Sequence, residues 1–253
     1  MIILIFLVAH WYLSLFCQTF YLHRYAAHKM FSMSKGWEKF FNVLTWLFQG
    51  SSYLSPYAYG LMHRMHHAYA DTEKDVHSPK YDSNLFTMMW RTKDVYNTTY
   101  RSKGASIEDR FKKDIPEWFA FETFAQSWPS RIFWILVYVA FYYYFIEYTW
   151  MWILLPLNFL MGPLHGAVIN WFAHKYGYRN FEVADTSVNI MPVDIFMMGE
   201  GYHNNHHKFG GRPNFGGIKW HEIDPVYICI KIFSWVGIVK LKKEPTPLQA
   251  WPE

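Results

Sequence analysis

No charged side chain occurs before Arg24, and Met1–Leu22 is a nearly unbroken apolar run. That is close to the ~20 residues needed to cross the hydrocarbon core of a bilayer. The segment lacks the basic n-region and small-residue cleavage site of a signal peptide, so it is expected to be a spanning helix. A second apolar stretch runs from Ile132 to about Ala173, and Glu147 is its only charge. A charge at mid-bilayer costs ~2.5–3.5 kcal/mol even on the lenient insertion scale, so Glu147 is placed at an aqueous corner. The stretch then reads as a hairpin of two spans, about 131–150 and 152–173. Between 37 and 60, the apolar core Phe40–Phe48 is too short to cross and is followed by Gln-Gly-Ser-Ser and Pro56. This segment is predicted to be an in-plane or re-entrant helix.

Residues 62–130 and 175–253 are the soluble remainder, a cap on one side of the membrane. None of the 24 Lys and Arg precedes Arg24 or falls between Arg131 and Lys175. By the positive-inside rule the cap is cytoplasmic, with the N-terminus outside and the C-terminus inside. Tyr142, Tyr143, Tyr144, Tyr148, Trp150 and Trp152 gather at the hairpin corner, as an interfacial belt would. Ser106-Ile-Glu-Asp109 reads as a helix start, Pro129 as a break, and Val226–Val239 as a helix lying flat beneath the bilayer. The fold class is therefore all-α: a single membrane domain over 1–253, with three spans and one in-plane or re-entrant helix.

Composition narrows the chemistry. Aromatic residues make up 21% of the 253 residues and charged residues 17%. The net charge of +4 includes no long basic run, which argues against nucleic acid. Cys17 and Cys229 are too few for a thiolate site, so any metal site must be rich in nitrogen.

Nine of the 13 histidines fall in four clusters: His23-Arg-Tyr-Ala-Ala-His28, His63-Arg-Met-His66-His67, Asn170-Trp-Phe-Ala-His174 and His203-Asn-Asn-His206-His207. Neutral imidazole is the commonest metal ligand, and an i, i+3, i+4 run places its rings along one side of a helix. At this histidine content an HxxHH triplet arises by chance at roughly one site in 7,000, yet it occurs twice. Nine rings exceed what one zinc takes, so two ions with about five positions each are expected. His66 and His67 lie about 100° apart on a helix and are assigned to different ions, as are His206 and His207. His23 and His28, about 140° apart if helical, suit separate ions or a helix end. Asn170, one turn before His174, could hold a metal-bound water. Asp71, Glu73, Asp75 and Glu200 are candidates for a general base or for acceptors that orient ring N–H groups. Imidazole alone does not choose among iron, zinc, copper and nickel.

The four clusters, together with Gly199-Glu-Gly-Tyr-His203-Asn-Asn-His-His207, resemble in order and spacing the membrane fatty acyl desaturases of the stearoyl-CoA type. The resemblance runs from about Tyr21 to His221. It implies a pair of iron ions that use O2 and two electrons to remove two hydrogens from a long-chain acyl substrate. It also implies that His23, His28, His63, His66, His67, His174, His203, His206 and His207 bind the irons, with Asn170 acting through water. No catalytic residue beyond the metal centre is implied, and zinc could replace iron in a purified sample.

Three departures from the family pattern stand out. The family usually has four spans, and this chain is expected to lack the first. The Arg-Asp pair that precedes the second cluster is replaced by Leu61-Met62, so the headgroup could be CoA, acyl carrier protein or lipid. The Trp that shapes the bend of the chain is replaced by Tyr59, which leaves bond position open. Only 13 residues follow Lys240, too few for a fused redox module, so a separate ferredoxin or b-type cytochrome is the expected electron donor.

Tyr59, Trp171, His165 and Lys80 are candidate substrate contacts, each with a plainer reading as packing or a solvated patch; Arg91 and Lys93 are further headgroup candidates. His10 is expected to be a helix-packing residue, with His77 and His221 outside the ligand set. Two other functions compete with desaturation: a di-iron lipid or alkane hydroxylase or ketolase, and a non-redox metal protein such as a zinc hydrolase or metal store.

Overall fold

The computed structural model describes residues 1–242; the predicted cap beyond 242 lies outside them. Helix α1 begins as an α-helix, Ile2–Phe16, and continues into a π-helix, Cys17–Ala27. Together these 26 residues are the one single helix among the described residues that is long and apolar enough to cross a membrane. Leu4, Ile5, Val8 and Leu13 point outward, while His10, Ser14 and Thr19 are buried. This inverts the usual soluble pattern and suits a lipid surround. His10 has the packing role expected of it, with Nδ1 2.8 Å from Asn158 Nδ2 and Nε2 3.4 Å from the Tyr138 hydroxyl.

After the short strand β1 (Phe31–Met33), α2 (Lys35–Gln49) repeats the inversion. Phe40, Val43 and Leu47 face outward, and Glu38, Asn42, Thr45 and Gln49 face inward. Glu38 accepts from the Tyr25 hydroxyl, Asn42 from the Tyr53 hydroxyl and Gln49 Oε1 from the Leu54 N–H, and the Thr45 hydroxyl donates to the Phe41 carbonyl. The chain then turns through a 3-10 segment, Gly50–Ser52, and returns in α3 (Pro56–Tyr69), whose N-terminus is capped by the Ser55 hydroxyl. Gly50 has φ +53°, and a Cβ there would overlap the Tyr138 hydroxyl, so the turn is seated against the helix that carries Tyr138.

The hairpin is less regular than expected. Helix α7 covers Trp128–Phe145, starting before Arg131 because Ser127 caps it and Pro129 fits its first turn. The returning limb is not one straight helix over 152–173. It runs as a 3-10 segment (Thr149–Leu154), α8 (Leu155–Phe159), α9 (Met161–Ala167) and a π segment (Val168–Phe172), with a 71° bend near Leu160. Pro163 accounts for the bend, since it has no N–H to donate and its ring clashes with the preceding turn.

In the cap, α4 (Leu85–Arg101) starts in a capping box at Asn84, and α6 (Phe119–Gln126) precedes α7. The start expected at Ser106 is only the single turn α5 (Asp109–Lys112), without a side-chain cap. Helix α10 (His203–Lys208) carries the last cluster. Helix α11 (Pro225–Trp235) exposes Ile228, Ile232 and Trp235, as a helix lying against a bilayer would. The fold is mostly helical, consistent with all-α, with one small sheet in which β1 pairs antiparallel with β2 (Val239–Leu241), setting Phe31 opposite Leu241. Such a pairing between distant segments leaves no local signal.

Candidate metal centre

All nine clustered histidines converge, and they do so as two sets. His23, His28, His63, His67 and His206 form one, and His66, His174, His203 and His207 form the other. Within each set, one ring nitrogen per residue lies within 4.8 Å of all the rest. Adjacent residues divide as the helix geometry predicts, His66 from His67 and His206 from His207. His23 and His28 fall in the same set, which removes the separate-ion alternative. The π-helix is the reason: its i→i+5 bond, His28 N–H to His23 O at 3.1 Å, stacks residues five apart, and His28 caps the helix end.

The inner nitrogens face one another. Nε2 of His23 lies 2.9 Å from that of His206, His206 lies 2.9 Å from His67, His67 lies 3.0 Å from His63, and His63 lies 2.8 Å from His28. In the second set, Nε2 of His174 is 3.1 Å from that of His203. Burial, reinforced by neighbouring rings, holds His28, His63, His67, His203, His206 and His207 well below the ordinary imidazole range. His174 is pushed down to about 4, also mainly by burial. Neutral rings crowded nitrogen to nitrogen have too few protons to satisfy one another, and a shared cation resolves the conflict. This donor set fits a metal.

Four of the outer nitrogens have polar partners. His23 Nδ1 donates to Glu200 at 2.6 Å, His66 Nδ1 to Asp75 at 2.9 Å, and His207 Nδ1 to Asp185 at 2.9 Å. His174 Nδ1 lies 3.2 Å from the Thr186 hydroxyl. Such partners fix the ring tautomer and aim Nε2 inward. Of the four carboxylates considered from the sequence, Glu200 and Asp75 have this role. Asp71 instead accepts from Ser78 and from the Thr186 backbone, and Glu73 is exposed. Asp185 and Thr186 were not legible beforehand, because they sit on an irregular loop that only the tertiary fold carries to the rings.

Three devices hold the clusters in place. Gly199 and Gly201 flank Glu200, and a Cβ at either would meet Asp224 or Asp194 at under 3 Å, so this loop can close only with glycine. In α10, the two asparagines between the histidines serve as struts. Asn204 accepts from the N–H groups of Asn180 and Phe181, and Asn205 donates to Glu222 and to the Phe215 carbonyl. The arginines after the first ligand of clusters one and two are staples. Buried Arg24 donates to Asp224 at 2.7 Å, and Arg64 donates to the carbonyls of Ala27, Phe111 and Lys113.

A mainly apolar cavity of about 550 Å3 borders the first set, with His23, His63, Glu200, Tyr59 and Asn170 on its wall. Tyr59 stacks on His63 with the rings 5° from parallel. His165 lines the cavity, completely buried, with its ring edge against Trp11. Trp171 and Lys80 are not among the lining residues. The Trp171 ring carries the Lys175 ammonium at 3.6 Å, and Lys80 donates to the Asp71 carbonyl. Arg91 is tied to Asp82 and to the Asp75 carbonyl, whereas Lys93 lines the cavity beside exposed Trp90. His77 also lines it, stacked on His66, and His221 sits beside Trp220.

The chain belongs to the fatty acid desaturase family, whose pattern it matches over residues 1–227. It is therefore an oxidoreductase acting on fatty acyl substrates. It is 29% identical over 238 residues to the Delta-9 desaturase-like 5 protein of Arabidopsis thaliana, covering 91% of this chain and 73% of that one. It is 28% identical to the Delta-9 acyl-lipid desaturase 2 of the same plant over 247 residues, 90% of this chain and 70% of the relative. With the icosanoyl-CoA 5-desaturase of Limnanthes douglasii it shares 31% over 235 residues, 91% of this chain and 62% of the relative.

Proposed function

We propose that the chain is an O2-dependent di-iron desaturase that introduces a double bond into a long-chain acyl substrate. The observation that carries this reading is the convergence of nine imidazoles into two sets, the first of which borders an apolar cavity. His23, His28, His63, His67 and His206 would hold one iron; His66, His174, His203 and His207 the other, with Asn170 completing it through water. Two irons so held supply the two-electron chemistry of O2. Overall, O2, two electrons, two protons and the two substrate hydrogens become two waters and one C=C bond. The protein's part is to exclude water, lay the chain beside His23 and His63, and use Tyr59 to shape its path. The relatives' names span two bond positions and both CoA and lipid carriers, so neither property follows from membership alone.

The topology proposed is three spans (α1, α7 and the bent limb α8–α9) with α2 re-entrant and the metal centre on the cytoplasmic face. The outward apolar faces of α1, α2 and α11 and the distribution of Lys and Arg support it. A separate ferredoxin or b-type cytochrome would deliver electrons to the basic cap. The test is expression in a host with a compatible reductase, followed by total fatty acid analysis. A new double bond that disappears with His206→Ala supports desaturation; a hydroxylated chain would transfer the assignment to the hydroxylase alternative. Redox-silent activity in anaerobic membranes would point to a zinc hydrolase.

A further inference from the structure

Most of the cavity wall is buried or half-buried. Among the described residues, the exposed ones that line it are Phe86, Trp90 and Lys93 on α4, and Leu160 and Pro163 at the bend of the returning limb. All but Lys93 are apolar, and Phe86 is 83% and Trp90 64% exposed. They border one seam. A Cβ on Gly166 would lie 3.7 Å from Met89 Cε, so α9 and α4 touch there. Phe86 and Lys93 stand one turn to either side of Met89, Trp90 is next to it, and Pro163 is one turn from Gly166. Leu160 lies a further turn along, at the 71° bend. The opening therefore runs from the cap into the limb that the proposed topology sets in the bilayer.

Facing water, such a rim would leave large apolar side chains in solvent, whereas a bilayer covers them without that cost. Trp90 and Lys93 have the character of an interfacial pair, with the Lys93 ammonium 3.3 Å from the centre of the Trp90 ring. Charge at the rim is balanced as well. Lys93 Nζ is 3.7 Å from Asp94, and the neighbouring Arg91 is tied to Asp82. Lys93 is the one cation on the cavity wall among the described residues. The several negative charges of a CoA group meet no surplus of positive charge here, and a zwitterionic headgroup needs none. We propose that the seam between α4 and α9 is a side door from the bilayer, through which an acyl chain enters while still esterified to a zwitterionic membrane lipid. The substrate class is then an acyl lipid, its headgroup held at the surface beside Trp90 and Lys93. This rests on the cavity being the acyl site and on the membrane topology given with the proposed function.

The test is photolabelling of the whole purified chain in phosphatidylcholine vesicles, without reductant. One probe is phosphatidylcholine with a diazirine midway along one acyl chain. The other is the CoA thioester of the same diazirine acid, added from water at equal concentration. Peptide mapping reads which residues are labelled. The lipid probe is expected to label the cavity wall around Leu15 and His165 more heavily than the thioester does. Phe86→Asp and Trp90→Asp each put a carboxylate on the apolar rim and should cut that labelling about tenfold, with the melting temperature unchanged. Trp90→Phe should keep it. Cavity labelling by the thioester that equals or exceeds the lipid's would overturn the proposal and give the site to a soluble carrier. So would lipid label confined to the outer faces of α1 and α2, or cavity labelling that both aspartates leave intact. Adding reductase separates the two readings. A double bond formed only on thioester-borne chains would close the side door and leave desaturation standing, whereas cavity labelling by the lipid with no double bond would sink desaturation alone.

Discussion

Glu200 Oε2 lies 2.6 Å from Nδ1 of His23, and the other nitrogen of that ring points to His206. Burial alone would raise the Glu200 pKa, but His23, Thr19 and Arg24 more than offset this and keep it lowered. Replacing Glu200 with Gln removes the charged acceptor and frees the ring to flip. Metal affinity at the five-ring set should fall about 10–100-fold, and iron content should drop from about two per chain toward one. Elemental analysis of the purified variant against wild type checks this.

The division of the rings makes a paired prediction. His206→Ala removes a ligand from the five-ring set, and His207→Ala removes one from the four-ring set. Each should lower iron to about one per chain, abolish turnover and leave a different residual spectrum. Identical spectra, or complete metal loss in both, would argue against two separate sets.

Arg64 joins α3 to the end of α1 through the Ala27 carbonyl and to α5 through the carbonyls of Phe111 and Lys113. Lysine cannot reproduce the planar fork. Arg64→Lys should destabilise the protein by about 1–3 kcal/mol, seen as a lower melting temperature in detergent.

Asp224 pairs with fully buried Arg24 and also caps α11 through the Tyr227 N–H. Asp224→Ala leaves the guanidinium buried without its partner and should cost about 3–5 kcal/mol. Arg24→Met in the same chain should recover part of that loss, measured as a double-mutant cycle of thermal stability.

Gly166 lines the cavity, and a Cβ there would meet only Met89 and Asn170, at ordinary contact distance. Gly166→Met should fold, fill part of the cavity and shift products toward shorter chains, at about 0.8 kcal/mol of lost burial per excluded methylene. Fatty acid profiling should show the shift with iron content unchanged.

Residue pattern alone determined which nine histidines converge, the assignment of adjacent histidines to different sets and the apolar character of α1. Those features depend on local periodicity, and the i, i+3, i+4 spacing is printed in the chain itself. Tertiary structure decided that His23 and His28 share a set, because α and π windings place residues five apart on different faces and no residue type announces which winding forms. It also decided that Asp185 and Thr186 support His207 and His174, that Arg91 is bound by Asp82, and that the returning limb bends at Pro163. These outcomes depend on contacts between segments far apart in the chain, which only packing brings together.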